Sequence, residues 1–259
     1  MPSPVEFADF SVETSLFERG FSLVAGMDEV GRGPLAGPAT VGVAVVTPKT
    51  QLDIDGLIDS KALTEKKRLA MAPLVRDWVP TAVASSSPAE IDALGITLAL
   101  RLAGQRALAQ VAALGVFPDA VLLDGKHDWL TPPEAALFSD DGPAEALYSE
   151  LVQEAWADSD SPAGWFGPVQ MEIKGDYRCA SIAAASVVAK VDRDAQMERL
   201  HELVPAYEWA KNKGYGSAAH RQAITLLGPS PYHRLSWSLP ATAEQIQQAY
   251  VARLEDDLV

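Results

Sequence analysis

The sequence predicts an α/β fold, because short apolar runs alternate with longer segments of helical character. Since 48% of its 259 residues are hydrophobic, the chain can bury a substantial core, and we expect a single domain over 1–259. Apolar runs rich in β-branched residues and bounded by turn residues predict strands at 21–25, 39–46, 79–86, 120–123 and 169–173.

The predicted helices are marked by caps, amphipathic spacing or small residues. Thr64 and the Ser-Pro pair at 87–88 are suitable helix starts. The small-residue run that begins at Ser181 predicts a helix packed tightly against the sheet. The expected helices cover 64–76, 87–111 past Gly95, 144–156, the run from 181 onward and 241–258.

The net charge of −14 argues against a nucleic-acid enzyme, because binding to phosphates normally depends on Lys and Arg. The distribution of charge weakens this objection. Residues 127–168 contain nine Asp or Glu and no Lys or Arg, whereas residues 171–235 hold nine Lys or Arg against seven Asp or Glu. The acidic excess therefore lies largely outside the motifs described below.

The cysteine content and the N-terminus favour a cytoplasmic protein. Cys179 is the only cysteine, so an intrachain disulfide or a thiolate metal site cannot form. The first residues are acidic and lack the basic start and apolar core of a signal peptide. No stretch has the length and apolar composition of a membrane span. We expect no membrane contact.

The most informative motif is Gly-Met-Asp-Glu-Val-Gly-Arg-Gly-Pro at 26–34, on or just after a predicted strand. It places two adjacent carboxylates, Asp28 and Glu29, beside an arginine flanked by glycines. A solvated surface turn is the alternative, but nearby prolines restrict the loop, and Gly31 and Gly33 permit positive φ and close approach to a ligand. The motif therefore favours a functional site.

Two further acids, Asp124 and Asp176, come after predicted strands far along the chain. Taken singly, a turn at 124–125 and a loop at 174–176 would explain them. Carboxylate oxygens favour Mg²⁺ or Mn²⁺ over zinc, and the sequence has no His-x-x-x-His or Cys-x-x-Cys spacing. Because adjacent strand residues point to opposite faces, Asp28 and Glu29 can share one metal centre only if the strand ends or bends there.

Seven blocks along most of the chain resemble ribonuclease HII, the prokaryotic type 2 ribonuclease H. They are Asp-Glu-Val-Gly-Arg-Gly at 28–33, Asp-Ser-Lys at 59–61, Leu-Asp-Gly at 123–125, Lys-Gly-Asp at 174–176, the run 181–194, Lys-Gly-Tyr-Gly at 213–216 and His-Arg-Leu-Ser at 233–236. The resemblance implies a ribonuclease H-like fold, with a mixed central β-sheet flanked by helices and a helical C-terminal part at about 200–259.

The resemblance also implies a hydrolase, a metal-dependent endonuclease that cuts the RNA strand of RNA/DNA hybrids. It would cut 5′ of single ribonucleotides in duplex DNA, leave a 3′-hydroxyl and a 5′-phosphate, and serve ribonucleotide excision. Two ions of Mn²⁺ or Mg²⁺ would do the chemistry. Catalytic and metal-binding roles fall to Asp28, Glu29, Asp124 and Asp176.

Six residues are expected to bind substrate. The resemblance implies that Gly31, Arg32 and Gly33 read the ribose 2′-hydroxyl largely through backbone groups, and that Tyr215 stacks on the following sugar. Lys61 and Lys174 suit phosphate contact, although a solvated lysine explains each equally well. We also expect His220, His233 and Arg234 to line the groove, and the charged segment 190–198 to be an exposed helix face.

The chain departs from the family pattern at the acidic segment 127–168, which we interpret as an insertion, and at Trp237, where a phenylalanine is expected. A type 3 ribonuclease H would share the acids but not Gly-Arg-Gly, and a non-catalytic hybrid-binding module would keep the fold without turnover. P-loop and serine-hydrolase motifs are absent. Protein partners are not predicted, and we expect a monomer.

Overall fold

The core of the protein is a five-stranded mixed β-sheet. The computed structural model describes residues 7–132, 142–158 and 164–255. The strands lie in the order β3-β2-β1-β4-β5. Their bounds are β1 Val24–Val30, β2 Ala39–Val46, β3 Thr81–Ser86, β4 Ala120–Asp124 and β5 Val169–Glu172.

The central strand β1 joins an antiparallel half to a parallel half. β1 pairs antiparallel with β2, and β2 with β3. On its other side β1 pairs parallel with β4, with Met27 opposite Leu123, and β4 pairs parallel with β5, with Asp124 opposite Glu172. The carboxyl ends of β1, β4 and β5 therefore meet at one edge of the sheet.

Helices cover both faces of the sheet and form the C-terminal part, as expected. In the described residues they are α1 Ser11–Glu18, α2 Glu65–Trp78, α3 Pro88–Ala113, α4 Pro143–Ala155, α5 Gly175–Arg178, α6 Ala180–Leu203, α7 Trp209–Asn212, α8 Ala218–Leu227 and α9 Ala243–Leu254, with 3-10 turns at Ser60–Ala62 and Pro205–Tyr207.

The predicted mixed sheet and flanking helices are confirmed, with local corrections. Strand β1 begins three residues later than predicted and runs through the acidic pair, so Asp28 lies inside a strand rather than after one. Asp124 is the last residue of β4. Helix α3 is interrupted at Gly95, whose φ of 73° is not helical. For β1, the pairing with β2 and β4 rather than local composition sets the bounds of the strand.

Helix α6 packs directly on the middle of the sheet. A Cβ atom on Gly26 of β1 would lie 2.2 Å from the carbonyl carbon of Ser181, and one on Gly42 of β2 would lie 2.3 Å from the carbonyl oxygen of Ala185. Only glycine permits backbone contacts this close. The small-residue run therefore forms the tightly packed helix that the sequence predicts.

Three apolar clusters lie among the residues that the structure describes. The α3 and α4 helices bury residues such as Leu102 and Leu108 on one face of the sheet, and α1, α2 and α6 bury residues such as Ile182 on the other. A third cluster around Trp209 joins the loop 35–36 to the C-terminal helices. In the described part of the chain, no helix is long and apolar enough to cross a membrane.

Only part of the acidic segment 127–168 can be placed. Its helix α4 matches the predicted 144–156 helix and packs against α3 through residues such as Leu147 and Leu151. The stretches 133–141 and 159–163, and residues 256–259 of the predicted last helix, lie outside the described residues.

Replacing Gly42 by alanine should destabilise the protein by about 1–3 kcal/mol, because the new methyl group meets backbone that cannot rotate away. The free energy of unfolding from urea titration measures the effect. Gly142→Ala is the matched control, since φ is −68° there and a Cβ would meet only the flexible carboxylate of Glu145. Equal stability of both variants would refute the packing argument.

Candidate active site

Three of the predicted acids lie at the edge where the parallel strands end. Asp28 and Glu29 are consecutive in β1, and Asp124 ends the neighbouring strand β4. Since Met27 pairs with Leu123, Asp28 and Asp124 each come directly after a matched pair. Asp124 acts electrostatically on both Asp28 and Glu29. The parallel register, invisible in the sequence, brings these acids together.

Asp28 and Glu29 lie on opposite faces of β1, because the strand continues regularly through Val30. Asp28 is 4% exposed and adjoins Ser186 of α6. The Glu29 carboxylate lies 3.6 Å from Nη1 of Arg32. The predicted bend comes at Gly31, with a φ of 84°, after both acids.

The fourth acid, Asp176, is delivered by a short helix rather than by a strand end. Lys174, with a φ of 58°, is the N-cap residue before α5, and Asp176 is buried in the first turn of that helix. The backbone N–H of Gly175 donates to Oδ1 of Asp124 at 2.8 Å. A Cβ on Gly175 would meet Ile182 at 2.5 Å, so α5 is held close to both β4 and α6.

Lys61 lies among these acids. Its Nζ is 3.5 Å from Oδ2 of Asp176, although the side chain is largely exposed. Partial burial alone would lower the pKa of Lys61, but the surrounding carboxylates, with Asp28 acting most strongly, raise it. Lys61 therefore stays charged and offsets part of the local negative charge.

Sequence reasoning missed two supporting residues. Asp59 is buried, accepts a hydrogen bond from the backbone N–H of Lys61 at 2.8 Å, and adjoins Asp176. Ser186, also buried, lies with its Oγ 2.9 Å from that of Ser60 and stabilises the Asp28 carboxylate. Both belong to the motif blocks, but their roles depend on how α6 and the 3-10 turn pack against β1.

Burial and mutual repulsion raise the pKa values of three of the acids. Burial raises the pKa of Asp28 well above its usual range, and the charges of Glu29 and Asp124 raise it further. Burial likewise raises the pKa of Glu29, with Arg32 partly opposing the shift. Burial and the charges of Asp124 and Asp59 raise the pKa of Asp176 to about 6. A cation would relieve this crowding of carboxylates.

The donor set suits a hard cation. The carboxylate oxygens of Asp28, Glu29, Asp124 and Asp176 are the ligands that Mg²⁺ and Mn²⁺ prefer. Within residues 7–132, 142–158 and 164–255, however, no three acid, histidine or cysteine side chains are already close enough to enclose an ion. The opposite orientations of Asp28 and Glu29 are consistent with this. The four acids therefore have the chemistry that a metal requires and lie near one another, but their side chains do not already form a coordination site.

The loop that follows β1 is held from beneath by a buried guanidinium. Arg234 donates to the carbonyl oxygens of Gly31, Arg32 and Gly37. Gly31 has no room for a side chain, because a Cβ would lie 2.1 Å from Nε of Arg193. Gly33 does not use positive φ, so only Gly31 takes the conformation expected of both.

Tyr215 lies beside this loop. The residue is 49% exposed, and its ring Cε1 would be 4.0 Å from a Cβ placed on Gly33. Gly214 makes the approach possible: its φ is 85°, and a Cβ there would lie 2.4 Å from the carbonyl oxygen of Ala36. The structure thus brings the Gly-Arg-Gly and Gly-Tyr-Gly motifs side by side, although more than 180 residues separate them.

Several other expectations were wrong. His220, His233 and Arg234 do not line the groove, because all three are fully buried. The segment 190–198 is not an exposed face throughout: Arg193 is fully buried and bonds the carbonyl oxygens at 38 and 213, and Asp194 is buried against Lys190. The phosphate contact of Lys174 stays a prediction: within the described residues its side chain is exposed and pairs with none of the four acids.

Comparison with known proteins identifies the family. The family model for ribonuclease HII matches residues 25–239. The chain belongs to the ribonuclease HII family. It is 43% identical to the ribonuclease HII of Streptomyces avermitilis over 91% of this chain and 85% of that protein, and 40% identical to that of Vibrio cholerae over 88% and 93%. The protein is therefore a hydrolase, a metal-dependent endoribonuclease acting on RNA/DNA hybrids.

Solved structures share the ribonuclease H-like fold. Ribonuclease H2 of Pyrococcus horikoshii aligns with a TM-score of 0.56 at 24% identity, over 88% of this chain and 99% of that one. The ribonuclease HIII Bst-RNase HIII, in complex with Mn²⁺, aligns with a TM-score of 0.59 at 20% identity, over 90% and 71%. Ribonuclease HII of Archaeoglobus fulgidus, in complex with PCNA, has a TM-score of 0.56 at 24% identity, over 84% and 96%. These likenesses confirm the predicted fold.

Asp28→Asn should stabilise the metal-free protein by about 1 kcal/mol, because it removes a buried charge that Glu29 and Asp124 repel. For a chain of this size the melting temperature should rise by about 2–4 °C in the presence of a chelator. Asp77→Asn, which removes an exposed carboxylate from α2, is the control and should leave the melting temperature unchanged. A lower melting temperature for Asp28→Asn would show that the carboxylate stabilises the fold.

Asp176 should make stability fall as the pH rises. Its pKa is raised from 3.8 to about 6, so between these values the folded state binds more protons than the unfolded state, and the free energy of unfolding decreases with pH. Chemical denaturation with a chelator at pH 4 to 7 measures the slope, and Asp176→Asn should flatten it relative to Asp77→Asn. An unchanged slope in Asp176→Asn would exclude this assignment.

Proposed function

We propose that the protein cuts duplex DNA on the 5′ side of a single embedded ribonucleotide, as well as the RNA strand of hybrids, leaving a 3′-hydroxyl and a 5′-phosphate. The observation that carries the proposal is the juxtaposition of two features at one edge of the sheet. The acids at 28, 29, 124 and 176 adjoin a glycine-rich surface formed by residues 31–33 and Tyr215. A scissile phosphate and the ribose beside it would be bound together there.

Two divalent cations, Mg²⁺ or Mn²⁺, would activate water and stabilise the charge that develops on the phosphate and the leaving group. Asp28, Glu29, Asp124 and Asp176 would hold them. The Gly175 N–H fixes the orientation of Asp124, and Ser186 supports Asp28. Lys61 offsets part of the negative charge around Asp176 before substrate binds, whereas Asp59 adds to that charge.

Substrate recognition would be shared between two loops. Gly31, Arg32 and Gly33 would offer backbone groups to the 2′-hydroxyl, the group that distinguishes RNA from DNA. Tyr215 would stack on the next sugar, and its exposure and its position beside Gly33 support this role. Lys61, at the mouth of the acidic cluster, would contact a phosphate, and Lys174 would contact the backbone farther out. We further propose that a cytoplasmic monomer spanning 1–259 as one domain performs this reaction.

The decisive experiment is cleavage of a labelled DNA duplex that contains one ribonucleotide, with Mg²⁺, Mn²⁺ or a chelator. An all-DNA duplex and a full RNA/DNA hybrid serve as parallel substrates. We expect a metal-dependent cut on the 5′ side of the ribonucleotide and none in the all-DNA duplex. Cleavage of the hybrid alone would indicate type 3 behaviour, and binding without cleavage would indicate a hybrid-binding module; either would overturn the proposal.

Asp124→Asn should reduce cleavage to background while folding and hybrid binding persist, because the change removes a metal ligand and leaves the core intact. Arg32→Ala and Tyr215→Ala should instead weaken the preference for the ribonucleotide junction. Asp77→Asn should match the wild type in every assay. Turnover by Asp124→Asn, or an unaltered preference in both loop variants, would contradict the corresponding assignment.

A further inference from the structure

The two proposed recognition loops are joined through a third segment of the chain. We name 31–37 the ribose loop and 213–216 the tyrosine loop. Their backbones meet where the Leu35 N–H donates to the carbonyl oxygen of Gly214 at 2.9 Å. Residues 232–234 pair with the ribose loop on its other side. The backbone N–H of Gly37 donates to the carbonyl oxygen of Tyr232, and the backbone N–H of Arg234 donates to that of Leu35, each at 2.9 Å.

Within this third segment, Arg234 acts on the ribose loop. Its Nη1 lies 2.8 Å from the carbonyl oxygen of Arg32 and its Nε 3.2 Å from that of Gly37, and Nη2 also reaches Gly31. The guanidinium is fully buried. A planar fork with several donors can orient several carbonyl groups at once, which a lysine ammonium cannot do in fixed geometry.

The preceding residue, His233, acts on the tyrosine loop through a second histidine. The Ser230 backbone N–H donates to Nδ1 of His233 at 2.9 Å, so Nδ1 carries no proton and the hydrogen of the neutral ring lies on Nε2. That Nε2 is 3.0 Å from Nε2 of His220, which also accepts from the indole N–H of Trp209 at 3.1 Å.

The proton on His220 must therefore lie on Nδ1, which is 2.8 Å from the carbonyl oxygen of Tyr215. The hydrogen bonds therefore run in one direction, from the Ser230 backbone N–H through His233 and His220 to the carbonyl oxygen of Tyr215. We call this chain of hydrogen bonds the relay. Burial, together with the charge of the neighbouring histidine, lowers the pKa of His233 to about 3, and burial lowers the pKa of His220. Both rings are neutral at ordinary pH, as the relay requires.

Two adjacent side chains thus reach the two recognition loops from below. We propose that His233 and Arg234, with His220, are positioning residues that set the distance between the ribose loop and Tyr215, and hence the preference for a lone ribonucleotide. This inference rests on the proposed function of those loops. None of the three residues would touch substrate, since all are fully buried.

The relay has a spectroscopic signature that does not depend on activity. Side-chain ¹⁵N NMR of histidine-labelled protein at neutral pH should show His220 as the Nδ1–H tautomer and His233 as the Nε2–H tautomer. The exposed His127 provides an internal reference for a solvated ring. A protonated Nδ1 on His233, or a protonated Nε2 on His220, would refute the relay itself.

Paired substitutions test the positioning role. His233→Gln keeps a donor that reaches toward His220, whereas His233→Asn keeps a polar group near Ser230 but is too short for His220. Arg234→Lys keeps the charge but not the fork. We expect His233→Asn and Arg234→Lys to lower kcat/KM on the single-ribonucleotide duplex by about tenfold or more, because small misplacements are costly, and to affect hybrid cleavage much less. His233→Gln should recover part of the loss.

The outcomes are distinguishable. If the wild type does not cut the single-ribonucleotide duplex, the proposed function fails, while the tautomers still decide whether the relay exists. If the wild type cuts it but His233→Asn and Arg234→Lys keep the wild-type preference between the two substrates, the positioning role is refuted even if their melting temperatures fall. A lost preference, with partial recovery in His233→Gln, supports it.

Discussion

The structure depends on the close approach of α6 to the centre of the sheet. Gly26 and Gly42 leave no space for a methyl group, so the helix backbone lies directly on β1 and β2. The same helix brings Ser186 to Asp28 and, two turns later, brings Arg193 beneath the loop after β1. A displaced helix would therefore disturb the acidic cluster and the proposed recognition loops together.

The acidic site lowers the stability of the folded protein, and its carboxylates suit a cation. Asp28, Glu29 and Asp176 all have raised pKa values, chiefly because burial disfavours their charged forms and neighbouring carboxylates add repulsion. Lys61 offsets only part of this charge. Such strain is common where function needs an arrangement that stability alone would not select. Cations bound by these acids would also make the local charge less negative. A chain with a net charge of −14 could then act on a polyanion.

The surface that we propose to recognise the ribose has the opposite electrostatic design. Its loops present backbone and an exposed tyrosine, while the cationic groups of Arg193 and Arg234 are buried below them and bind carbonyl oxygens. Burial of Arg234 and its proximity to Arg193 lower its pKa to about 9. The arginines therefore orient backbone rather than contact solvent. Rigid support of this kind is what a site needs in order to discriminate one hydroxyl group.

The sequence by itself determined the α/β class, most helices, and the motif blocks that carry the family resemblance, because periodicity, caps and short motifs are local properties. Tertiary structure alone decided which acids meet, since that depends on the parallel register of β1 with β4 and on the turn before α5. It also reversed the expected exposure of His220, His233 and Arg234. Their polar character predicts solvent contact, but the tertiary structure buries them and gives them hydrogen-bond partners inside the molecule, such as His233 for His220 and the Arg32 carbonyl oxygen for Arg234.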